Sequence, residues 1–511
     1  MRYLELIQGN PLVWGLFIFY LVVTLGLSII GWLKTKDIES FAVGSGDMNP
    51  IVVGITLAAS IASTATFVLN PGFVYTYGYS AFLHLGVAAG LGVIIGLFVM
   101  SFGFRRVGKD IKALTLPQWI GERYKSPFLT IAFSCISLLM LTFAVLIVGA
   151  LSIVMQAELG LTNLEAITLI IVFVFGYIFI GGTWAHAYTN TVQGILMAVV
   201  ACIIVGEGLP LLFSGDVNAT LAAADPNLVK HINPASPFYN SFFSVYVSGF
   251  VVGFALMTQP HILIKALYVK SEKQVWQYLG VCVVVSLAFS ALLLVGFYAH
   301  MKGMTHQDFL DPTTGTYRQD IVMAVYITKT FSETMRGVIM VALMSAGMST
   351  LDGILVALSS VAANDLFLNL TKNNILKDKT REAQLKIAYF AGQIILVGMG
   401  IATFVIVLDP PKLLAIFGMV GAYAIVAASL APILCGILFP NLRKEPIIIA
   451  VILALATHFT LYGMAFYKVS NYAVQTFSNP AVPAVLGIFL SLAIAIPAGI
   501  ISKQKRITEG A

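Results

Sequence analysis

The stretch Thr56–Tyr79, TLAASIASTATFVLNPGFVYTYGY, is apolar enough to sit in a bilayer, yet it carries hydroxyls throughout and then Asn70-Pro71-Gly72. Steps of three and four residues align Thr56, Ser60, Ser63, Thr66 and Asn70 along one helical stripe. In hydrocarbon an unpaired hydroxyl or carbonyl is costly, so this stripe must face protein, water or a ligand. Proline removes an amide donor and frees the carbonyl one turn back, while glycine lets the chain turn. The pattern predicts a helix broken at Pro71 and Gly72, with an ion and solute site built on the break.

The surrounding chain fits that element. Of 511 residues, 59% are hydrophobic and 10% charged, where a soluble protein carries about a quarter charged. The composition predicts an all-α, polytopic membrane protein. The net charge of +6 is dispersed between apolar runs, which argues against a nucleic-acid partner. Cys135, Cys202, Cys282 and Cys435 fall far apart inside apolar segments, without metal-ligand spacing, and read as small packing residues. The first apolar run, 11–33, is too long for a signal-peptide core and reads as a span.

At about 20 apolar residues per crossing, thirteen spans are predicted: 11–33, 51–76, 78–104, 127–157, 164–182, 188–212, 242–265, 276–300, 335–360, 385–408, 412–438, 446–467 and 481–501. An odd number places the termini on opposite sides. With the N-terminus outside and the C-terminus inside, 21 basic residues face the cytoplasm, in 34–36, 105–125, 265–273, 372–386, 443–444 and 503–506. Only 8 remain outside: Arg2, Lys230, Lys302, Arg318, Lys329, Arg336, Lys412 and Lys468. The positive-inside rule selects that orientation. The polar stretches 213–240 and 302–334 then lie outside, the second with a helical pattern over Tyr317–Glu333. Asn218-Ala219-Thr220 fits a glycosylation acceptor, a triplet common by chance.

A second break signal, Thr258-Gln259-Pro260-His261, lies five spans after the first. An odd offset reverses helix direction, as an inverted repeat of five plus five requires. The predicted organisation is a first helix and inner loop (1–50), repeat one (51–212), an outer loop (213–241), repeat two (242–438) and two peripheral helices with a tail (439–511).

Five segments then resemble the sodium:solute symporter family, which includes proline, pantothenate, monocarboxylate and sugar symporters. They are GSGDMNPIVVGITLAASIASTATFVLNPG, TLPQWIGERY, GGTWAHAYTNTVQGILM, TQPHILIKA and AGMSTLDGILVALSSVAANDL. They occur in the family's order and cover nearly the whole chain. The resemblance implies a LeuT-like fold, rocking-bundle alternating access and coupling to inward sodium at the cell membrane. It places sodium on the backbone carbonyls of Ala59, Ala62 and Ala346 and the hydroxyls of Ser349 and Thr350. The chemistry is coherent, since a set of neutral oxygens binds a hard monovalent cation and still releases it. The bland alternative for Ser349-Thr350 is packing hydroxyls bonded to the preceding turn. Many members carry Asp where Asn190 stands, so a second ion is disfavoured and one sodium per solute is expected.

Asp352 lies one turn inward of that site, either attracting sodium, titrating as a proton site, or pairing with a cytoplasmic-side cation. Ser63, Thr66, Asn70, His84 and Gln259 are the candidate solute contacts by analogy with the family, beside Pro71, Gly72 and Pro260. His186 and His261 are expected at the interface, and Glu207 near the outer end of its span. The predicted core helix 127–157 has no Arg or Lys, so a carboxylate would rest on hydroxyls and helix-end amides. The resulting expectation is sodium-coupled import of a small organic acid such as a monocarboxylate or pantothenate, with a proline-type amino acid as the alternative. A non-transporting sensor on the same fold is a rival from another class. No paired carboxylates or nucleophile–base set suggests an enzyme, and no cofactor beyond the coupling ion or obligate protein partner is expected.

Overall fold

The computed structural model describes residues 2–33, 47–311, 315–371, 374–411 and 413–509, with the side chains of 180–182 and 504–509 left aside. Lys34, Lys36, Lys372, Lys412 and the first residues of the GSGDMNP motif lie outside the described residues, as do the side chains of Lys505 and Arg506. The described residues are helical, apart from connecting segments and one isolated bridge between Leu310 and Tyr317.

In chain order the membrane-crossing elements begin with α1 (Pro11–Trp32), α2 (Pro50–Ile61), α3 (Ala65–Tyr77), α4 (Tyr79–Asp110), α5 (Pro127–Leu159) and α6 (Asn163–Ser214). They continue with α7 (Phe243–Leu256), α8 (Pro260–Leu267), α9 (Glu272–Met301), α10 (Glu333–Thr371), α11 (Arg381–Leu408), α12 (Leu414–Leu438), α13 (Lys444–Phe466) and α14 (Ala481–Lys503). Local chemistry sets several starts. Asn49 accepts from the Ile51 amide just before Pro50, and Ser126 caps the turn opened by Pro127. Capping boxes at Thr162/Glu165 and Ser271/Gln274 open α6 and α9.

Among the described residues, ten helices are long and apolar enough to cross a bilayer, or up to twelve when each bent pair is one span. The count of thirteen is not confirmed; within α6, Asn163–Phe179 is a further, shorter apolar stretch beside the span Thr183–Ser214. Tyr177 and Thr189 both hydrogen-bond the Asp352 carboxylate, although that much straight helix covers about 18 Å. The 52-residue α6 must therefore double back between them.

α10 is almost wholly buried and packs on α1, α2, α5 and α6; α12 is buried against α5, α13 and α14. Gly92 of α4 and Gly253 of α7 let these two helices touch backbone to backbone, since a Cβ at either would collide with the partner's main chain. Surface ion pairs join residues assigned to the same side. Arg2–Glu165, Lys302–Glu207 and Arg336–Glu158 fall on the outer set, Arg106–Glu272 and Lys270–Asp47 on the inner. Outside, the expected Tyr317–Glu333 helix shortens to Val322–Thr330, preceded by a 3-10 turn at Gln319–Ile321. Arg318 is held there by Asp311 and Asp320. Asn218 is engaged, its side-chain oxygen accepting from the Tyr79 hydroxyl at 2.8 Å.

Two elements are bent: α2/α3 by 53° and α7/α8 by 55°. Pro260 opens α8 directly after the second bend, as expected. The first bend lies elsewhere than expected. α2 ends at Ile61, Ala62 leaves helical geometry (ψ 74°), and the chain resumes helix after Thr64. Pro71 and Gly72 lie within a continuing helix, Asn70–Tyr77, preceded by a π-helical turn over Ala65–Leu69. Proline is tolerated in a first turn, where its missing amide costs little. Gly72 serves packing, because a Cβ there would strike the Gln319 carbonyl.

Candidate functional site

The bend in α2/α3 leaves the last carbonyls of α2 without continuing helix amides, and the dipole makes that end partly negative. α10 passes beside it. Ser349 Oγ donates to Ala59 O at 3.1 Å and to Ala346 O at 3.0 Å. Thr350 Oγ1 lies 3.5 Å from Ala59 O, 3.3 Å from Ser60 O and 3.3 Å from Ala346 O. Bonds to the preceding turn of α10 therefore coexist with bonds across to α2. All five residues are buried, and Ala62 caps the end of α2 beside them. The cluster offers neutral carbonyl and hydroxyl oxygens, a donor set suited to a sodium ion. Among the described residues no group of three His, Cys, Asp or Glu forms.

One turn inward is a second polar layer. Asn190 Nδ2 contacts Ser60 Oγ at 3.2 Å, Ser349 O at 3.3 Å and Thr56 O at 3.4 Å, while its Oδ1 is buried without a partner. Asp352 accepts from the Tyr177 hydroxyl and from Thr189 Oγ1 at 3.3 Å; it forms no ion pair among the described residues. The expected pairing with a cytoplasmic cation is replaced by hydroxyl partners. His186 and His261, expected at the interface, are buried; both ring nitrogens of His261 lack partners. Glu207 is partly exposed and paired with Lys302.

Lys265 is the residue that sequence reasoning misplaced. It counts there as a cytoplasmic charge, yet its side chain is buried and its Nζ donates to Thr56 O and Ser60 Oγ, each at 2.7 Å. The only sequence signal is its place at the end of TQPHILIKA, just past a break.

Above these layers a cavity of about 390 Å³ opens between α3, α4, α7 and α9. Ser63, Thr66, Asn70, His84 and Gln259, picked from the sequence, all line it. Ser63 Oγ accepts from the Ala65 amide at 3.2 Å, holding the first turn of α3. His84 Nδ1 is tied to Ser244 O at 2.8 Å, and Asn70 Oδ1 is buried without a partner. The apolar walls include Val252, Phe289, Leu293 and Met419, and the described lining contains no Lys, Arg, Asp or Glu. Ser60 and Ala62 form its floor, so the cavity and the oxygen cluster share the broken segment.

The chain is 26% identical over 462 residues to the sodium/pantothenate symporter of Haemophilus influenzae, spanning 89% of this chain and 91% of that one. It is 24% identical over 375 residues to a sodium/proline symporter of Staphylococcus aureus, spanning 69% of this chain and 68% of that one. In fold it matches the substrate-bound, outward-open structure of a Na+-coupled sialic acid symporter with a TM-score of 0.74 at 16% identity, over 96% and 97% of the two chains. Residues 41–453 match the sodium:solute symporter family. This chain is a multi-pass membrane protein of the LeuT-type fold and belongs to the sodium:solute symporter family, whose members couple solute movement to sodium.

Proposed function

We propose that the chain imports a small organic acid across the cell membrane with one sodium ion. Sodium binds on the carbonyls of Ala59, Ala62 and Ala346 and the hydroxyls of Ser349 and Thr350. The observation that carries this reading is the reach of Ser349 Oγ across to Ala59 O, which ties α10 to the unwound end of α2. An ion at that junction holds the two elements together and fixes the cavity floor. Its loss to the low-sodium side frees α2, α3, α7 and α8 to rock against α5 and α10, and releases the solute. Repeats 51–212 and 242–438, each carrying one bent element, supply the two halves of that motion.

The cavity lining supports the solute class. With no fixed cation, a carboxylate rests on Ser63, Thr66 and the amides at the start of α3. Asn70 and Gln259 meet amide or hydroxyl groups, and the apolar wall takes a branched hydrocarbon portion. A pantothenate-like acid has all three parts, and sodium/pantothenate symporters match this chain over most of its length. A proline-type amino acid is the second reading, favoured by the sodium/proline relatives. Uptake of radiolabelled pantothenate into proteoliposomes under an inward sodium gradient tests the proposal, with proline and pyruvate as competitors. Uptake that collapses when choline replaces sodium supports it. Equal uptake in choline contradicts the coupling, and absence of flux for every solute favours a sensor.

A further inference from the structure

Lys265 is 1% exposed and sits on α8, the inner half of the second bent element. Its Nζ bonds Thr56 O and Ser60 Oγ of α2, the inner half of the first. Buried ammonium groups need nearby oxygen partners and a counter-charge. Both are present in this layer. Asn190 reaches the same two oxygens, and its neighbour Thr189 bonds the buried Asp352 carboxylate. Ser60 is shared: its side chain faces Lys265 while its backbone oxygen faces Thr350. Two clusters of oxygens therefore adjoin at the end of α2, one formed by Ala59, Ala346, Ser349 and Thr350, the other holding the Lys265 ammonium.

We propose that Lys265 is a tethered cation occupying, within the protein itself, the seat of a second coupling ion on Thr56, Ser60 and Asn190. It rests on the sodium site proposed above and gives a structural reason for the one-sodium coupling proposed there. The carboxamide of Asn190 fits that role: a carboxylate there would pair with Lys265 and lock α8 to α6, whereas an amide leaves the ammonium free to leave its seat when α8 moves. Lys265 thereby acts on transport by positioning, through the contact between the two inner half-helices.

The test is equilibrium binding of 22Na+ alone to the purified full-length chain, counted per protein. Wild type binds one sodium, with a Hill coefficient of one. Lys265→Met combined with Asn190→Asp replaces the resident ammonium by an empty, carboxylate-bearing seat, and the stoichiometry rises from one to two. Asn190→Asp alone keeps one, because Lys265 neutralises the new carboxylate. A monodisperse double variant that still binds one sodium overturns the proposal, as does a second sodium in Asn190→Asp alone; should the double variant fail to fold, the single variant decides. No sodium bound by wild type would instead bring down the sodium reading on which the proposal stands.

Discussion

Removing the hydroxyls of Ser349 and Thr350 is the perturbation whose size the structure sets most directly. Both side chains are buried and point at Ala59 O and Ala346 O, Ser349 at 3.0–3.1 Å and Thr350 at 3.3–3.5 Å. A polar contact to a charged group is worth about 1.5–3 kcal/mol, so losing two ligands costs sodium binding about 3–6 kcal/mol. At about 1.4 kcal/mol per decade that is a loss of roughly a hundred- to ten-thousand-fold in affinity. The fold loses far less, on the order of 1 kcal/mol for each neutral hydrogen bond. Thr350→Ala, Ser349→Ala and the double variant, reconstituted and assayed for half-saturating sodium, should fall in that order of increasing defect, because the Thr350 contacts are longer. Thr350→Ser keeps the hydroxyl and should stay near wild type. A monodisperse double variant whose half-saturating sodium lies within threefold of wild type would refute the ligand assignment.

Gln259→Ala and Thr66→Val should each raise half-saturating solute about tenfold, the loss of one polar contact of about 1.4 kcal/mol. Sodium binding measured without solute should be unchanged, and a shift in sodium binding instead would place these residues outside the solute cavity. Gly72→Val drives a side chain into the Gln319 carbonyl and should lower uptake at least tenfold while the protein still reaches the membrane; full uptake would mean the outer segment yields freely. Asp352→Asn keeps an acceptor for Tyr177 or Thr189 and should retain sodium-driven uptake. Uptake that loses its sodium dependence in that variant would transfer the coupling role to the carboxylate.

Much of the site was legible because membrane burial makes polar residues informative. Ser63, Thr66 and Asn70 stand on the polar stripe read from the sequence, His84 and Gln259 were added by analogy with the family, and all five line one cavity. The position of the first bend was not legible. Pro71 and Gly72 are the strongest breakers in the stretch, yet proline in a first turn leaves a helix intact, and the bend falls at Ala62–Thr64, where no residue type marks it. Lys265 misled for a related reason. It stands near Lys270 and Lys273, and only the turn at Gln259–Pro260 carries it back under the bundle. His261 was expected at the interface, whereas its burial with an unpartnered ring on the cavity wall depends on a bend angle that no local pattern encodes.

The most direct measurement is a density map of the full chain in saturating sodium, compared with one in choline. A sodium peak should stand about 2.2–2.6 Å from the Ala59 and Ala346 carbonyls and the Ser349 and Thr350 hydroxyls, distances of the order found for hard cations on oxygen, and vanish in choline. Hydroxyls still bonded to Ala59 in saturating sodium, with the ion elsewhere or no ion in either map, would contradict it.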